Sequence, residues 1–207
     1  MSWLQEQAAL LRNFFRGGFR RTVGFCALGM LIAALLGVGT GLLFPEDAAQ
    51  VMDSFMAQVA ESGVIDEQGE MSVFALLMNN WRAMLTSAAY GFIPFLFLPL
   101  LSLLTNGLLL GILAALLQAG GISILAYLAG ILPHGIFELP ALVLSVACGV
   151  TLCRNMCRMV VSSPKRIPLP ALLEELLRVL VLLVAPLTVA AAFVECYITP
   201  WVMNLFL

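Results

Sequence analysis

The feature that most constrains the fold is a run of 23 uncharged, mostly apolar residues over 22–44. A helix of about 20 such residues crosses the hydrocarbon core of a bilayer. With 62% hydrophobic and only 11% charged residues, the chain falls outside the range of soluble domains. We predict an all-α, polytopic membrane helix bundle with about five transmembrane helices, in one domain over 1–207. The further spans are predicted at 72–92, 94–118, 122–158 and 170–198.

Charged residues are segregated along the chain, and this segregation predicts its orientation. Four arginines precede the first span, and a second basic cluster follows residue 153. Cytoplasmic loops of membrane proteins are enriched in lysine and arginine. We therefore predict a multi-pass protein of the inner (cytoplasmic) membrane, with both clusters on the cytoplasmic side. Five spans then place residues 1–21 inside and the C-terminus outside. The clusters are Arg12, Arg16, Arg20 and Arg21, and Arg154, Arg158, Lys165 and Arg166.

The segment 45–71 has the opposite character, with seven acidic residues and no lysine or arginine. Apolar residues recur at helical spacing between Val51 and Val59, which predicts an amphipathic helix on the extracytoplasmic side. This helix is either a solvated connection or a docking surface for external protein partners. The acidic residues are Glu46, Asp47, Asp53, Glu61, Asp66, Glu67 and Glu70.

Residues 122–158 are too long for one simple span and too short for two. Pro133 predicts a break, with a half-helix over 122–132 and a spanning helix over about 136–157. The break contains His134, which is the only histidine of the chain, and Glu138. Ionisable groups at hydrocarbon depth are costly and usually face a partner, a cavity or a ligand.

Counting residues from the predicted ends places most intramembrane polar groups in the outer half of the bilayer. Arg82 needs an anionic partner at that depth, and Glu138 and Glu195 are the candidates. Two interpretations stay open: a structural clasp that holds the helices together, or an outward-facing pocket that binds a polar ligand or relays protons. The predicted cluster is Asn79, Asn80, Arg82, Asn106, His134, Glu138 and Glu195.

Motifs of several enzyme classes are missing from the sequence. One histidine without His-Glu-x-x-His is too few ligands for a metalloprotease, and no Gly-x-Ser-x-Gly or phosphate-binding loop is present. We therefore expect no enzyme, no cofactor and no metal, and the basic clusters are too small for nucleic-acid binding.

Two pairs of glycines at a spacing of four residues predict close helix packing. Gly37 and Gly41 share one face of the first span, and Gly107 and Gly111 share one face of the third. Such faces let two helices approach closely, either within the chain or in a homodimer.

Several segments occur in the order seen in the stage II sporulation protein M family, which the chain resembles over about residues 20–200. The most specific is Leu132-Pro-His-Gly-Ile-Phe-Glu-Leu-Pro140. The others are the pair Asn79-Asn80, the segment from Asn106-Gly107 to Gly111, and Ala191-Ala-Phe-Val-Glu-Cys-Tyr-Ile-Thr199. Matching positions are Asn80, Asn106, Gly107, His134, Gly135, Glu138 and Glu195, and the resemblance assigns no chemistry to them.

The resemblance implies an inner-membrane protein with about five helices. The protein that gives the family its name acts during engulfment in sporulation, where it anchors two peptidoglycan-degrading partners in a cell-wall remodelling complex. Many members occur in organisms that never form spores. The first hypothesis is therefore a non-enzymatic membrane scaffold that recruits extracytoplasmic partners. The alternative is a transporter, channel or lipid-handling protein with an outward-facing polar pocket.

Overall fold

The computed structural model describes residues 2–62, 64 and 71–205, and these residues are arranged in an all-helical bundle. The predicted fold class is confirmed. Three of the predicted acidic residues, Asp66, Glu67 and Glu70, lie outside the described residues. The α-helices are α1 (Trp3–Phe14), α2 (Arg20–Leu43), α3 (Pro45–Glu61), α4 (Val73–Ala89), α5 (Pro99–Ala119), α6 (Ile124–Val160), α7 (Leu169–Val179), α8 (Ala185–Phe193) and α9 (Thr199–Met203).

Four helical stretches are long and apolar enough to cross a membrane: Trp3–Leu43, which is kinked at Gly18, Pro99–Ala119, Ile124–Val160 and Leu169–Met203. Helix α4 has 17 residues, which is the lower limit for a span. The packing nevertheless shows that α4 runs from one end of the bundle to the other. Helices α2 and α5 are parallel, because Gly37 lies against Leu108 and Gly41 against Ala115. The chain between these two helices must therefore return along the bundle, and α4 is the helix that does so.

The direction of α4 follows from its contacts with α6. The Ser145 hydroxyl donates to the Met84 carbonyl, and one helical turn beyond each of them Ser87 lies against Gly149. Further along, the Cys153 thiol donates to the Ile93 carbonyl. Residue numbers therefore increase in the same direction along both helices, so α4 runs parallel to α6 and antiparallel to α2.

The predicted break in the fourth span is wrong. Helix α6 runs for 37 residues through both Pro133 and Pro140. A proline lacks one backbone donor, but membrane helices tolerate it when neighbouring groups and small local adjustments compensate. At 1.5 Å per residue α6 is about 55 Å long, which exceeds the hydrocarbon thickness and leaves one or both ends beyond it.

The last predicted span is one continuous helical stretch made of α7, α8 and α9, here called the last helix. Two π-helical segments, Leu180–Val184 and Val194–Ile198, join its three parts. Each π segment ends shortly before a proline, Pro186 or Pro200. The wider π turn is a known accommodation where the regular hydrogen-bond ladder is interrupted, and it often occurs at functional sites.

The glycines predicted to pack helices form the seam between α2 and α5, here called the glycine seam. A Cβ atom on Gly37 would collide with the backbone of Leu108, and one on Gly111 would collide with the carbonyl of Ala34. A Cβ on Gly41 would lie 2.6 Å from Cβ of Ala115, and one on Gly107 would lie 2.6 Å from Cβ of Ala33. All four glycines therefore pack against helices of the same chain. They give no support to the predicted homodimer.

The two basic clusters lie at the same end of the bundle, here called the basic end. Phe19 at the start of α2, Leu152 near the end of α6 and Leu172 near the start of α7 belong to one buried cluster. Helix α1 turns away from α2 at Gly18, whose φ of 119° lies in the region that favours glycine. It then packs against α7.

The outer surface of the bundle carries large apolar side chains, for example Phe25 at 76% and Leu35 at 64% exposure. The buried positions instead include many small residues, such as Ala33, Ala141 and Ala147. Such a surface would be an aggregation hazard in water, whereas lipid chains solvate it well. The pattern is that of a multi-pass membrane protein.

Candidate functional site

The structure brings together three of the seven predicted polar residues: His134, Glu138 and Glu195. One ligand-type atom from each side chain lies within 4.8 Å of the other two, and all three residues are half-buried. His134 and Glu138 are four residues apart on α6, so they share one helix face. Glu195 comes from the second π segment of the last helix.

Thr199 determines how the imidazole of His134 is presented. Thr199 Oγ1 lies 3.2 Å from His134 Nδ1 and donates its own proton to the carbonyl of Val194 at 3.3 Å. While Thr199 donates to Val194, its oxygen can accept from an Nδ1–H of His134, and in that tautomer the lone pair of the ring is on Nε2. Nε2 lies 4.0 Å from a carboxylate oxygen of Glu138.

The ion pair predicted for Arg82 is wrong. Arg82 forms no salt bridge with Glu138 or with Glu195. It is exposed and lines a groove of about 550 Å³ between α3, α4 and α5. The error lies in depth counting, because the helices are offset along their axes: Met84 lies against Ser145 and Trp81 against Thr188, so Arg82 lies about one turn or more from the levels of Glu138 and Glu195. The polar groups of this groove are Gln58, Glu61, Ser62, Asn79, Arg82, Thr86, Ser87, Tyr90 and Ser102.

The three predicted asparagines do not share an environment. Asn79 lines the groove beside Arg82. Asn106 is exposed, and its amide donates to the Ser102 carbonyl at 2.8 Å. Asn80 is buried at 8% exposure, and its Nδ2 has no partner among the described residues. The single predicted layer is therefore two separate features, a cluster on α6 and the last helix and a groove beside α4.

Sequence reasoning missed the hydrogen bonds that join α4, α6 and the last helix. The Trp81 indole donates to Thr188 at 2.8 Å, and the fully buried Ser145 hydroxyl donates to the Met84 carbonyl. Single serines and threonines in apolar helices are common and carry no partner signal. Thr199 had one signal, because it follows Glu195 by four residues in a segment that matched the family.

A second ionic group lies at the basic end, around the buried side chain of Arg178. The guanidinium of Arg178 lies 2.8 Å from Glu174 and 2.7 Å from Glu175, and its Nε donates to Gln7 of α1 at 2.7 Å. The spacing of three and four residues could have predicted the pairs within α7. The contact with Gln7 could not have been predicted, because it depends on how α1 folds back.

The His134 cluster has the side chains for cation binding and for proton exchange. One imidazole and two carboxylates can ligate a cation or share protons. The described residues around them hold no second histidine, and nothing there resembles an activated serine or cysteine nucleophile. This cluster is the candidate site of the molecule.

Together, the apolar bundle and its internal polar groups define a polytopic α-helical membrane protein with an ionisable site between two helices. The family model described as stage II sporulation protein M matches residues 21–200. The chain therefore belongs to the stage II sporulation protein M family, as its motifs predict. Neither the comparison with curated proteins nor the comparison with solved structures finds a match.

Proposed function

We propose that this protein is a non-enzymatic scaffold of the cytoplasmic membrane that holds an extracytoplasmic protein partner. The observation that carries the proposal is the attachment of α3. Only a narrow face of this helix, with Ala48 and Met52, is buried against α5. Its remaining surface is available to another molecule.

The open surface of α3 combines acidic and apolar groups. Val51 and Met56 are 49% and 53% exposed, and Glu46 and Asp53 are exposed as well. Mixed apolar and charged patches of this kind are typical of protein interaction sites. A partner with a basic rim around an apolar centre fits the charge of this surface.

The charge distribution supports the orientation that the proposal needs. The two basic clusters share the basic end, which the positive-inside rule assigns to the cytoplasm. Helix α3 follows the far end of α2 and is then extracytoplasmic, as is the C-terminus after five traverses.

Family membership makes a peptidoglycan-degrading enzyme the partner to test first. A homodimer stays a prediction, and it would need a surface other than the glycine seam.

The proposal is tested by neutralising α3. The variant Glu46→Gln/Asp47→Asn/Asp53→Asn and the unaltered chain are purified from crosslinked cells, and peptidoglycan hydrolysis is assayed on the captured material. We expect the unaltered chain to retain hydrolase activity and the variant to lose at least about nine-tenths of it. Glu6→Gln, an exposed acidic position at the basic end, is the control and retains the activity. Equal retention by both variants, or no hydrolase on the unaltered chain, contradicts the proposal.

The groove beside α4 favours a second candidate function, the binding or transport of a polar ligand. The groove holds an exposed arginine, amides, hydroxyls and one carboxylate, that of Glu61, which is suited to a polar ligand that carries both an anionic group and a hydrogen-bond donor. Single cysteines placed at Asn79 and Thr86, in a background without native cysteines, distinguish the two functions. Labelling of both positions by an impermeant thiol reagent from outside supports this second candidate. If neither position is labelled while a cysteine at Ala60 reacts, the groove is closed to the outside and the scaffold function is favoured.

A further inference from the structure

We infer that His134, Glu138 and Glu195 bind a divalent transition-metal cation between α6 and the last helix. The inference goes beyond the scaffold proposal and does not depend on it. It also replaces the expectation of no metal, which rested on motif counting along the sequence. The site is assembled from two helices whose residues lie 57 positions apart, between 138 and 195.

The three ligand atoms are of the kinds that such cations prefer. Imidazole suits zinc, iron and nickel, and carboxylates add the harder ligands that also suit manganese. Around a four-coordinate zinc ion with bonds of about 2.1 Å, neighbouring ligand atoms stand about 3.4 Å apart. The ligand atoms here lie within 4.8 Å of one another. Side-chain rotations that close this spacing by roughly 1.4 Å would supply three of the four ligands and leave the fourth position to water.

The histidine already has the orientation of a ligand. A metal-bound histidine usually donates its other ring N–H to an oxygen, which fixes the tautomer and directs the lone pair. Thr199 Oγ1, 3.2 Å from Nδ1, is placed to accept that hydrogen, and Nε2 lies 4.0 Å from a carboxylate oxygen of Glu138. The threonine is itself held by the Val194 carbonyl.

The negative charge of the two carboxylates favours binding of a cation. Glu138 and Glu195 are both half-buried among apolar helices, where two adjacent carboxylates repel each other and lose hydration. Within the described residues, neither carboxylate forms a salt bridge with a lysine or an arginine. A divalent cation would neutralise both groups in one step.

A π segment of the last helix lies at the site. Val194–Ile198 has the wider turn, and the bond from Thr199 to Val194 spans five residues. Glu195 and Thr199 are four residues apart, and both lie on the side of the last helix that meets His134. Such segments cost regularity in the helix and often occur at functional sites.

The experiment uses the full chain in nanodiscs, stripped of metal with a chelator, and measures Zn²⁺ binding by calorimetry. We expect one Zn²⁺ per chain and a rise in the unfolding temperature on Zn²⁺ addition. Glu195→Gln is expected to weaken binding at least about 100-fold. Thr199→Val keeps all three ligands and is expected to weaken binding about 10-fold or more, with recovery in Thr199→Ser.

Two matched variants separate this site from others. Glu174→Gln makes the same chemical change at the basic end and keeps full binding. Cys157→Ser removes one of two thiols on a shared face of α6 and also keeps full binding. The inference is overturned if the unaltered chain binds no Zn²⁺, if Glu195→Gln and Thr199→Val both bind like the unaltered chain, or if Cys157→Ser abolishes binding.

Discussion

The glycine seam and the contacts among α4, α6 and the last helix differ in the physical means that they use. In the glycine seam, α2 and α5 touch backbone to backbone, and a Cβ on Gly111 would already be too large. Helices α4, α6 and the last helix share one such close contact, at Gly149, and are joined in addition by a few hydroxyl and ring contacts. We call these contacts the polar seam, and they are Ser145 to Met84, Trp81 to Thr188 and His134 to Thr199.

The comparison teaches how a bundle is specified in lipid. Lipid chains solvate apolar side chains as well as other helices do, so shape and hydrogen bonds must select the partner helix. Close packing of small residues is sensitive to every added atom, because packed interiors have little free volume. An interhelical hydrogen bond in a membrane contributes only about 0.6 kcal/mol on average. The glycine seam should therefore be the less tolerant of the two.

The largest effect is expected for Gly111→Leu, which drives a side chain into the Ala34 backbone. Overpacking of this kind costs about 3 kcal/mol or more. Thermal unfolding in detergent measures the loss. Gly39→Leu is the matched control, because a Cβ at Gly39 of α2 meets no heavy atom within 4 Å. If both variants unfold at the same temperature, α2 and α5 do not pack as described.

A smaller effect is expected for Ser145→Ala, which removes one bond of the polar seam. The Met84 carbonyl loses a donor, which costs about 1 kcal/mol. The same unfolding assay applies. Ser54→Ala is the control, because the Ser54 hydroxyl is exposed and bonds only within its own helix, to Gln50. A loss above that of Gly111→Leu would reverse the ranking of the two seams.

The smallest effect is expected for Trp81→Phe. The ring packing is mostly kept while the indole donor to Thr188 is lost, at a cost of about 0.6 kcal/mol. The Thr188 hydroxyl still donates within its own helix. Trp201→Phe, at an exposed position of the last helix, should leave the unfolding temperature unchanged. A difference of several kcal/mol between these variants would show that Trp81 does more than donate one bond.

Hydropathy predicted where the helices lie, because spans must be long and apolar whatever they pack against. The span predicted at 22–44 is observed as Arg20–Leu43, and the last one as Leu169–Met203. Pro133 was misread because a proline signals a break in water, whereas the bundle supports it inside α6.

The sequence could not predict which helices and side chains contact one another across the bundle. The spacing of Gly37 and Gly41 indicates a close helix contact, but the same spacing serves an internal and an external partner. Likewise, residue counting placed Arg82 at the depth of Glu138, while the register and rotation of α4 and α6 that separate them depend on packing across the whole bundle. His134 and Glu138 could be paired because they are local to one helix. Thr199 could not be assigned to them.

The contact between Gln7 and Arg178 links residues 171 positions apart in the chain. Residue 7 is synthesised long before residue 178, so α1 stays without this contact until α7 has been made. Contacts of such long range are slow to form, since the intervening chain must be arranged first. The basic end of the bundle therefore closes late, after the helices between α1 and α7 have been inserted.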